Sequence, residues 1–209
     1  METEEPERST VSLAKRSLPT GTWCSTQWPA DDATNGQAVV LWDLDQGSWN
    51  PTRMACWLNS IGVLAQHELG CDECAFVGCL NERAAGRAHW HSVLHALHAP
   101  QTESAPDDWC VRRSKLVVVP CRKQAVDEQL MAIGRAMIER EGAHRPRAMV
   151  LITHDSDFVP LLTSARRHGV RTLLVRWRTP TSGKNQLLED SADASVLVDK
   201  ETGRGVDRS

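Results

Sequence analysis

The amino-acid sequence predicts an α/β fold, a three-layer sandwich in which helices cover both faces of a mainly parallel sheet of about five strands. Short apolar runs alternate along the chain with segments of helical spacing. The runs are apolar throughout, which is typical of parallel strands buried on both faces. With 209 residues, of which 41% are hydrophobic, the chain can bury one sizeable core.

Each strand is predicted from an apolar run, and each helix from apolar residues three or four positions apart. The predicted strands are Gln37–Trp42, Ala75–Leu80, Lys115–Pro120, Ala148–Thr153 and Arg171–Trp177. The predicted helices are Cys56–Leu69, Ala88–Ala99, Val126–Arg140 and Phe158–Gly169. Pro160 and Gly169 mark the first turn and the end of the last helix. Residues 187–199 predict one helical turn and a closing strand.

The predicted domain spans residues 37–199, between tails at residues 1–36 and 200–209 that we expect to be disordered. We expect a homodimer or protein partner, if there is one, to bind through the tails. Seven cysteines at irregular spacing make a poor disulfide framework, and no segment resembles a secretory signal. No stretch approaches the roughly 18 apolar residues of a membrane helix. The sequence therefore predicts an intracellular protein, cytoplasmic or nuclear, with no membrane partner.

Charge is distributed unevenly along the chain. The overall formal charge is -3, yet Cys110 to Gln186 contains fifteen Lys and Arg against six Asp and Glu, a local balance of +9. Such a segment can attract a polyanion.

Aspartates follow the predicted strands at the points where ligands bind to parallel sheets. Asp43 follows the first strand, Asp155 and Asp157 follow the fourth, and Asp127 opens the helix after the third, with Asp45 as a further candidate. The carboxyl ends of parallel strands share one edge, so these side chains are expected to meet there. Clustered carboxylates suit hydrated Mg²⁺ or Mn²⁺.

Any one of these aspartates has a plainer interpretation. Asp155 or Asp157 alone can cap the helix that follows, and Asp127 can be an ordinary first-turn acid. Capping does not explain why several such residues occur together after different strands. Their joint occurrence favours a metal site.

A cysteine and histidine cluster suggests a second metal. Cys71, Cys74 and Cys79 precede four histidines in residues 89–98, and a Cys-x-x-Cys pair with nearby His resembles half of a zinc site. Cys74 and Cys79 would be roughly 16 Å apart on a strand, too far to share one ion. Zinc at Cys71 and Cys74 stays an open alternative.

Three segments resemble the successive motifs of NYN domains of the limkain-type branch, which have the PIN-like, Rossmannoid ribonuclease fold. These segments read "VVLWDLDQGSWNP", "VVPCRKQAVDEQLMAIGRAM" and "AMVLITHDSDFVPLLTSARRHGVRTLLV". The resemblance covers roughly Gln37 to Asp199. It implies metal-dependent cleavage of RNA phosphodiester bonds. By their positions in the motifs, the implied acidic metal ligands are Asp43, Asp127, Asp155 and Asp157.

The chain departs from the family pattern at three positions. Gln46 stands where the family commonly has Asn, His154 where a small residue precedes the fourth-strand aspartate, and Val126 where a small residue precedes Asp127. No carboxylate is lost, so the resemblance still implies activity. His154 is expected to narrow the site or to add a group that titrates near neutral pH.

Further residues are candidates for supporting roles in metal-assisted hydrolysis. Thr153 and Ser156 can orient the attacking water or a ligand carboxylate, or serve as structural hydroxyls. Arg122 and Lys123 are placed to contact phosphates, and Trp49 can stack on a base or simply pack.

Two alternative functions stay open. One is a catalytically silent module that binds RNA or acts as a scaffold. The other is a haloacid-dehalogenase-type phosphatase, in which Asp43 would be the nucleophile and Asp45 the acid. The second leaves Asp127 without a role, and "LNERAAG" lacks the Ser or Thr that it needs.

Overall fold

The computed structural model describes residues 37–46, 51–71, 73–86, 110–177 and 186–198. Within them the strands are β1 (Ala38–Asp43), β2 (Glu73–Asn81), β3 (Cys110–Val119), β4 (Ala148–Ile152), β5 (Arg171–Trp177) and β6 (Ala194–Val198). The helices are α1 (Pro51–Leu69), α2 (Glu82–Ala85), α3 (Ala125–Ile138), α4 (Val159–Arg167) and α5 (Gln186–Ser191). Short 3₁₀ turns occupy Gly142–His144 and Ser156–Phe158. The predicted helix at 88–99 and both predicted tails lie outside the described residues.

The described strands form one parallel sheet in the order β3-β2-β1-β4-β5-β6. The predicted α/β class is confirmed, and the closing strand expected in residues 187–199 is β6. The sheet has six strands where about five were expected. No helix in the described part of the chain is both long and apolar enough to cross a membrane.

Strand β1 is buried on both faces because helices cover each side of the sheet. Its residues Val40 and Trp42 belong to the apolar cluster that includes Trp57 of α1. The alternate residues Val39 and Leu41 belong to the opposite cluster, which is built with α3 and α4. Side chains alternate along a strand, so Asp43 continues the row of Val39 and Leu41 and faces the α3 and α4 layer.

Helix α3 approaches the sheet and α4 closely at a glycine. A Cβ atom on Gly134 would lie 2.8 Å from Leu161 Cδ2 and 3.0 Å from Leu41 Cδ1. A larger residue at this position would push the helix away from its neighbours. The close packing at Gly134 therefore positions α3, and with it Asp127 in the first turn of that helix.

The ends of α4 follow the predicted signals. Pro160 lies in the first turn of the helix, where its missing N–H leaves no hydrogen bond unmade. Gly169 follows the last turn with φ 74°, a conformation that favours glycine. The helix therefore starts at the carboxyl edge of the sheet, after β4, and ends at the amino edge, before β5.

Candidate functional site

The candidate site lies where the strand order changes direction. From β1 the chain proceeds through β2 to β3 on one side, and β4, β5 and β6 extend on the other. In such sheets a crevice opens at the carboxyl ends of the two central strands, here β1 and β4. Trp42 pairs with Ile152, so Asp43 and Thr153, the next residue of each chain segment, emerge side by side at this crevice.

Asp43 is the most deeply placed carboxylate of the site. It is only 1% exposed, and its Oδ1 accepts the backbone N–H of Asp45 at 3.1 Å. The Thr153 hydroxyl donates to its Oδ2 at 3.4 Å. Burial, followed by the negative charge of Asp127, raises the pKa of Asp43 to about 7. The carboxyl group is thus poised between its two protonation states near neutral pH.

Asp127 faces the same space from the start of α3. The residue is half-buried. Burial, followed by the charges of Asp155 and Asp157, raises its pKa to about 6. Carboxylates from three separate segments of the chain therefore act on one another electrostatically at the crevice.

Asp155 caps the 3₁₀ turn that leads into α4, as the plainer interpretation of this residue proposed. Its Oδ1 accepts the backbone N–H of Asp157 at 2.9 Å, and its own N–H donates to the Thr153 hydroxyl at 3.1 Å. A carboxylate has two oxygens, so the capping bond does not use the whole group. Asp157 is exposed, and its Oδ2 accepts the Gln124 amide at 3.3 Å.

Asp45 ties the turn after β1 to the end of β2. Its carboxylate accepts the backbone N–H of Asn81 at 3.0 Å and the side-chain amide of the same residue at 2.6 Å. Leu44, which stands between Asp43 and Asp45 in the sequence, is buried against Gly78. A Cβ atom on Gly78 would lie only 2.6 Å from Leu44 Cδ1. This packing fixes the turn from which Asp43 projects.

Gln46 and His154 link the ends of the two central strands. The Gln46 Oε1 atom accepts the backbone N–H of His154 at 2.9 Å. The His154 ring points to the end of β5, where Nε2 accepts the backbone N–H of Trp177 at 3.3 Å and the two rings meet edge-on at 4.0 Å. The imidazole is thus held against Trp177 by these contacts.

The predicted RNA-contacting and hydroxyl residues occupy different positions. Arg122 and Lys123 are exposed in the turn before α3, and the Arg122 guanidinium pairs with Glu128. Ser156 is exposed at the start of the 3₁₀ turn. Trp49 lies outside the described residues.

Gln124 is a site residue that sequence reasoning missed. Among described residues other than glycine, it alone has a positive φ, of 60°. Its backbone forms the N-cap of α3 and its amide contacts Asp157. Nothing in the local sequence signals this, because glutamine has no preference for the left-handed conformation.

Cys79, the cysteine that was not expected to share an ion with Cys74, lies in the sheet as the register partner of Asp43. Burial, followed by the charge of Asp43, raises the pKa of its thiol. Cys71 and Cys74 are also buried. The histidines of the zinc interpretation lie outside the described residues.

Within the part of the chain that the structure describes, no three His, Cys, Asp or Glu side chains are arranged to enclose a metal ion. The carboxylates nonetheless fit hydrated Mg²⁺ or Mn²⁺ in their chemistry. Mg²⁺ keeps several waters and takes only one or two protein carboxylates together with phosphate oxygens of a substrate. Burial, followed by crowded negative charge, raises the pKa values of Asp43 and Asp127, and a divalent cation would offset the crowding.

The strand order is also that of dinucleotide-binding folds, but the turn after β1 differs from theirs. Asp43, Leu44, Asp45 and Gln46 replace the glycine-rich loop that cradles a pyrophosphate. Two carboxylates at this point would repel such a group. The crevice is therefore suited to cations rather than to a bare dinucleotide phosphate.

No protein-family model matches the chain, and no curated protein matches it in sequence. The functional assignment therefore depends on the fold and on the geometry of the crevice.

Proposed function

We propose that the chain is a divalent-metal-dependent ribonuclease of the NYN, PIN-like type. Its proposed ligands are Asp43, Asp127, Asp155 and Asp157, with Mg²⁺ or Mn²⁺ as cofactor. The observation that carries this proposal is that Asp43 at the end of β1, Asp127 in the first turn of α3, and Asp155 and Asp157 after β4 share one crevice at the carboxyl edge of the sheet. Isolated helix caps would not need to face one another in this way.

The bound metal ion would polarise the scissile phosphate and lower the pKa of a water molecule. The protein supplies a positioned set of oxygens. Thr153 and the N–H of Asp45 hold the Asp43 carboxylate from two directions. The cap bond sets the orientation of Asp155. A cation held by Asp43 and Asp127 would lower their pKa values and so favour their ionised forms at neutral pH.

A silent RNA-binding module is the second candidate function. It is favoured by the finding that no three described His, Cys, Asp or Glu side chains enclose a metal ion. The phosphatase hypothesis is disfavoured. It needs Asp45 as the acid, but the carboxylate of Asp45 accepts hydrogen bonds from Asn81.

Labelled single-stranded and structured RNAs, incubated with the purified full chain in Mn²⁺, Mg²⁺ or EDTA, test the proposal. We expect cleavage only with metal, and a loss of about 100-fold or more in Asp43→Asn and Asp157→Asn. Asp190→Asn is a matched control, since Asp190 is an exposed acid of α5 whose backbone carbonyl accepts the Arg166 guanidinium near the end of α4, away from the crevice. Cleavage that persists in EDTA would refute the proposal, whereas RNA binding without cleavage would indicate the silent module.

A further inference from the structure

A basic groove lies at the amino edge of the sheet, opposite the aspartates. It has a volume of about 510 Å³ and lies at the end of α4, beside the first residues of β5 and the residue before β6. The lining residues on which its chemistry depends are Thr163, Arg166, Arg167, Arg171 and Asp193. Three arginines and a single carboxylate thus line the groove.

The single carboxylate is committed to structural contacts. Asp193 Oδ1 pairs with Arg166 Nε at 2.9 Å. Its Oδ2 accepts the backbone N–H and the hydroxyl of Thr172 at 2.8 and 2.9 Å. Asp193 therefore holds the Arg166 side chain in place, and it offsets one of the three positive charges.

Arg171 is held by groups that do not neutralise it. Its guanidinium donates to the carbonyl of Leu69 at 2.8 Å and to the carbonyl of Glu68. These carbonyls end α1, and they are uncharged apart from the partial charge of the helix terminus. An arginine has five N–H donors, so the contacts order the side chain and leave donors for a ligand.

A fourth arginine, Arg147, extends the positive surface formed by the three that line the groove. Arg167 is exposed in the last turn of α4, and Arg147 is exposed just before β4. The backbone N–H of Arg171 donates to the Arg147 carbonyl at 3.1 Å, so these residues are neighbours at the edge of the sheet. Ordered guanidinium forks suit phosphate oxygens, and ordering before binding reduces the entropy lost on binding.

The groove and the carboxylate crevice lie at opposite ends of α4. The nine residues of this helix cover about 14 Å. A single nucleotide in the crevice cannot reach the groove, whereas a longer strand can contact both.

We propose that this groove binds backbone phosphates of the RNA several nucleotides away from the bond held at the carboxylates. The inference rests on the proposed function for the identity of the polyanion. The groove thereby makes binding dependent on the length of the RNA. It contributes affinity without taking part in the reaction.

The test is the affinity of the full chain for labelled single-stranded RNA in EDTA, measured by fluorescence anisotropy at several salt concentrations. The variant is Arg147→Gln with Arg167→Gln, and the matched control is Arg83→Gln with Arg135→Gln, two exposed arginines of α2 and α3. We expect about tenfold weaker binding of a 20-mer, and a plot of log affinity against log salt shallower by about 1.4 for two lost phosphate contacts. A tetranucleotide and the control pair should show neither change.

An equal loss in the control pair, or an unchanged salt dependence, would overturn the inference. So would a wild-type chain that binds no RNA. Failure of the nuclease proposal is distinguishable, since it would appear as RNA that is bound but not cleaved in Mn²⁺. In that case the groove is still judged by the salt dependence in EDTA.

Discussion

The Thr153 hydroxyl donates to Asp43 Oδ2 at 3.4 Å and joins the ends of β1 and β4 across 110 residues of sequence. The same oxygen accepts the N–H of Asp155 at 3.1 Å. One hydroxyl therefore orients a candidate ligand from each of the two central strands.

Thr153→Val keeps the shape of the side chain and removes this hydroxyl. We expect a loss of about 1–2 kcal/mol in the free energy of unfolding, because the partly buried Asp155 N–H loses its partner, and a fall in RNA cleavage of about tenfold. Urea unfolding and cleavage rates measure the two effects. Thr153→Ser, which keeps the hydroxyl, should retain most of the activity. Equal losses in Val and Ser variants would argue for packing rather than hydrogen bonding.

Asp43→Asn should stabilise the metal-free protein at neutral pH. The folded-state pKa of Asp43 is about 7, against an ordinary 3.8, so the folded state keeps a proton that the unfolded state has lost. The free energy of unfolding of the wild type therefore falls as pH rises from about 4 to 7. The variant lacks this term and should be more stable above pH 7 by on the order of 2–4 kcal/mol.

Unfolding in EDTA at a series of pH values measures this difference. It should be close to zero near pH 4, grow up to pH 7 and then stay constant. A difference that does not change with pH would show that Asp43 is not buried as a protonated carboxyl group.

Mn²⁺ affinity should increase with pH through the neutral range. Binding requires ionised carboxylates, and the metal-free pKa values of Asp43 and Asp127 are raised to about 7 and about 6. Each proton released on binding makes the affinity rise by up to about tenfold per pH unit. Calorimetry in buffers of different ionisation enthalpy counts these protons. No proton release at pH 6 would contradict a role for these two groups as ligands.

Gln124→Gly should raise stability while it lowers function. Glycine adopts φ 60° without the cost of about 1–2 kcal/mol that this conformation has for glutamine. Glycine also makes the unfolded protein more flexible, which offsets part of this gain in stability. We expect a net gain of up to about 1 kcal/mol in EDTA. Loss of the amide on Asp157 should weaken Mn²⁺ binding by about tenfold.

Thermal unfolding and calorimetry separate the two effects of this substitution. Gln37→Ala is the control, because it removes a similar amide-to-carboxylate bond, from Gln37 to Glu73, at the amino edge of the sheet, opposite the crevice. A fall of both stability and Mn²⁺ affinity in Gln124→Gly would assign Gln124 a purely structural role.

The central strands of the sheet could be predicted from the sequence because they are apolar on both faces. The predicted start of β3 at Lys115 was late, since the strand begins at Cys110. Among the described strands β3 lies at the edge of the sheet, and edge strands tolerate charged residues, here Arg112 and Arg113 in the sequence. A search for continuous apolar runs therefore misses the beginning of such a strand.

The sequence by itself determined the α/β class, the limits of α4 and the strand ends that carry Asp43, Asp155 and Asp157, because local periodicity, Pro160 and Gly169 specify these features. Tertiary structure alone decided what each polar side chain contacts. Asp45 bonds to Asn81, Gln46 to His154 and Gln124 to Asp157. These partners lie 36, 108 and 33 residues apart. Only the strand order brings them together, and no local pattern encodes it.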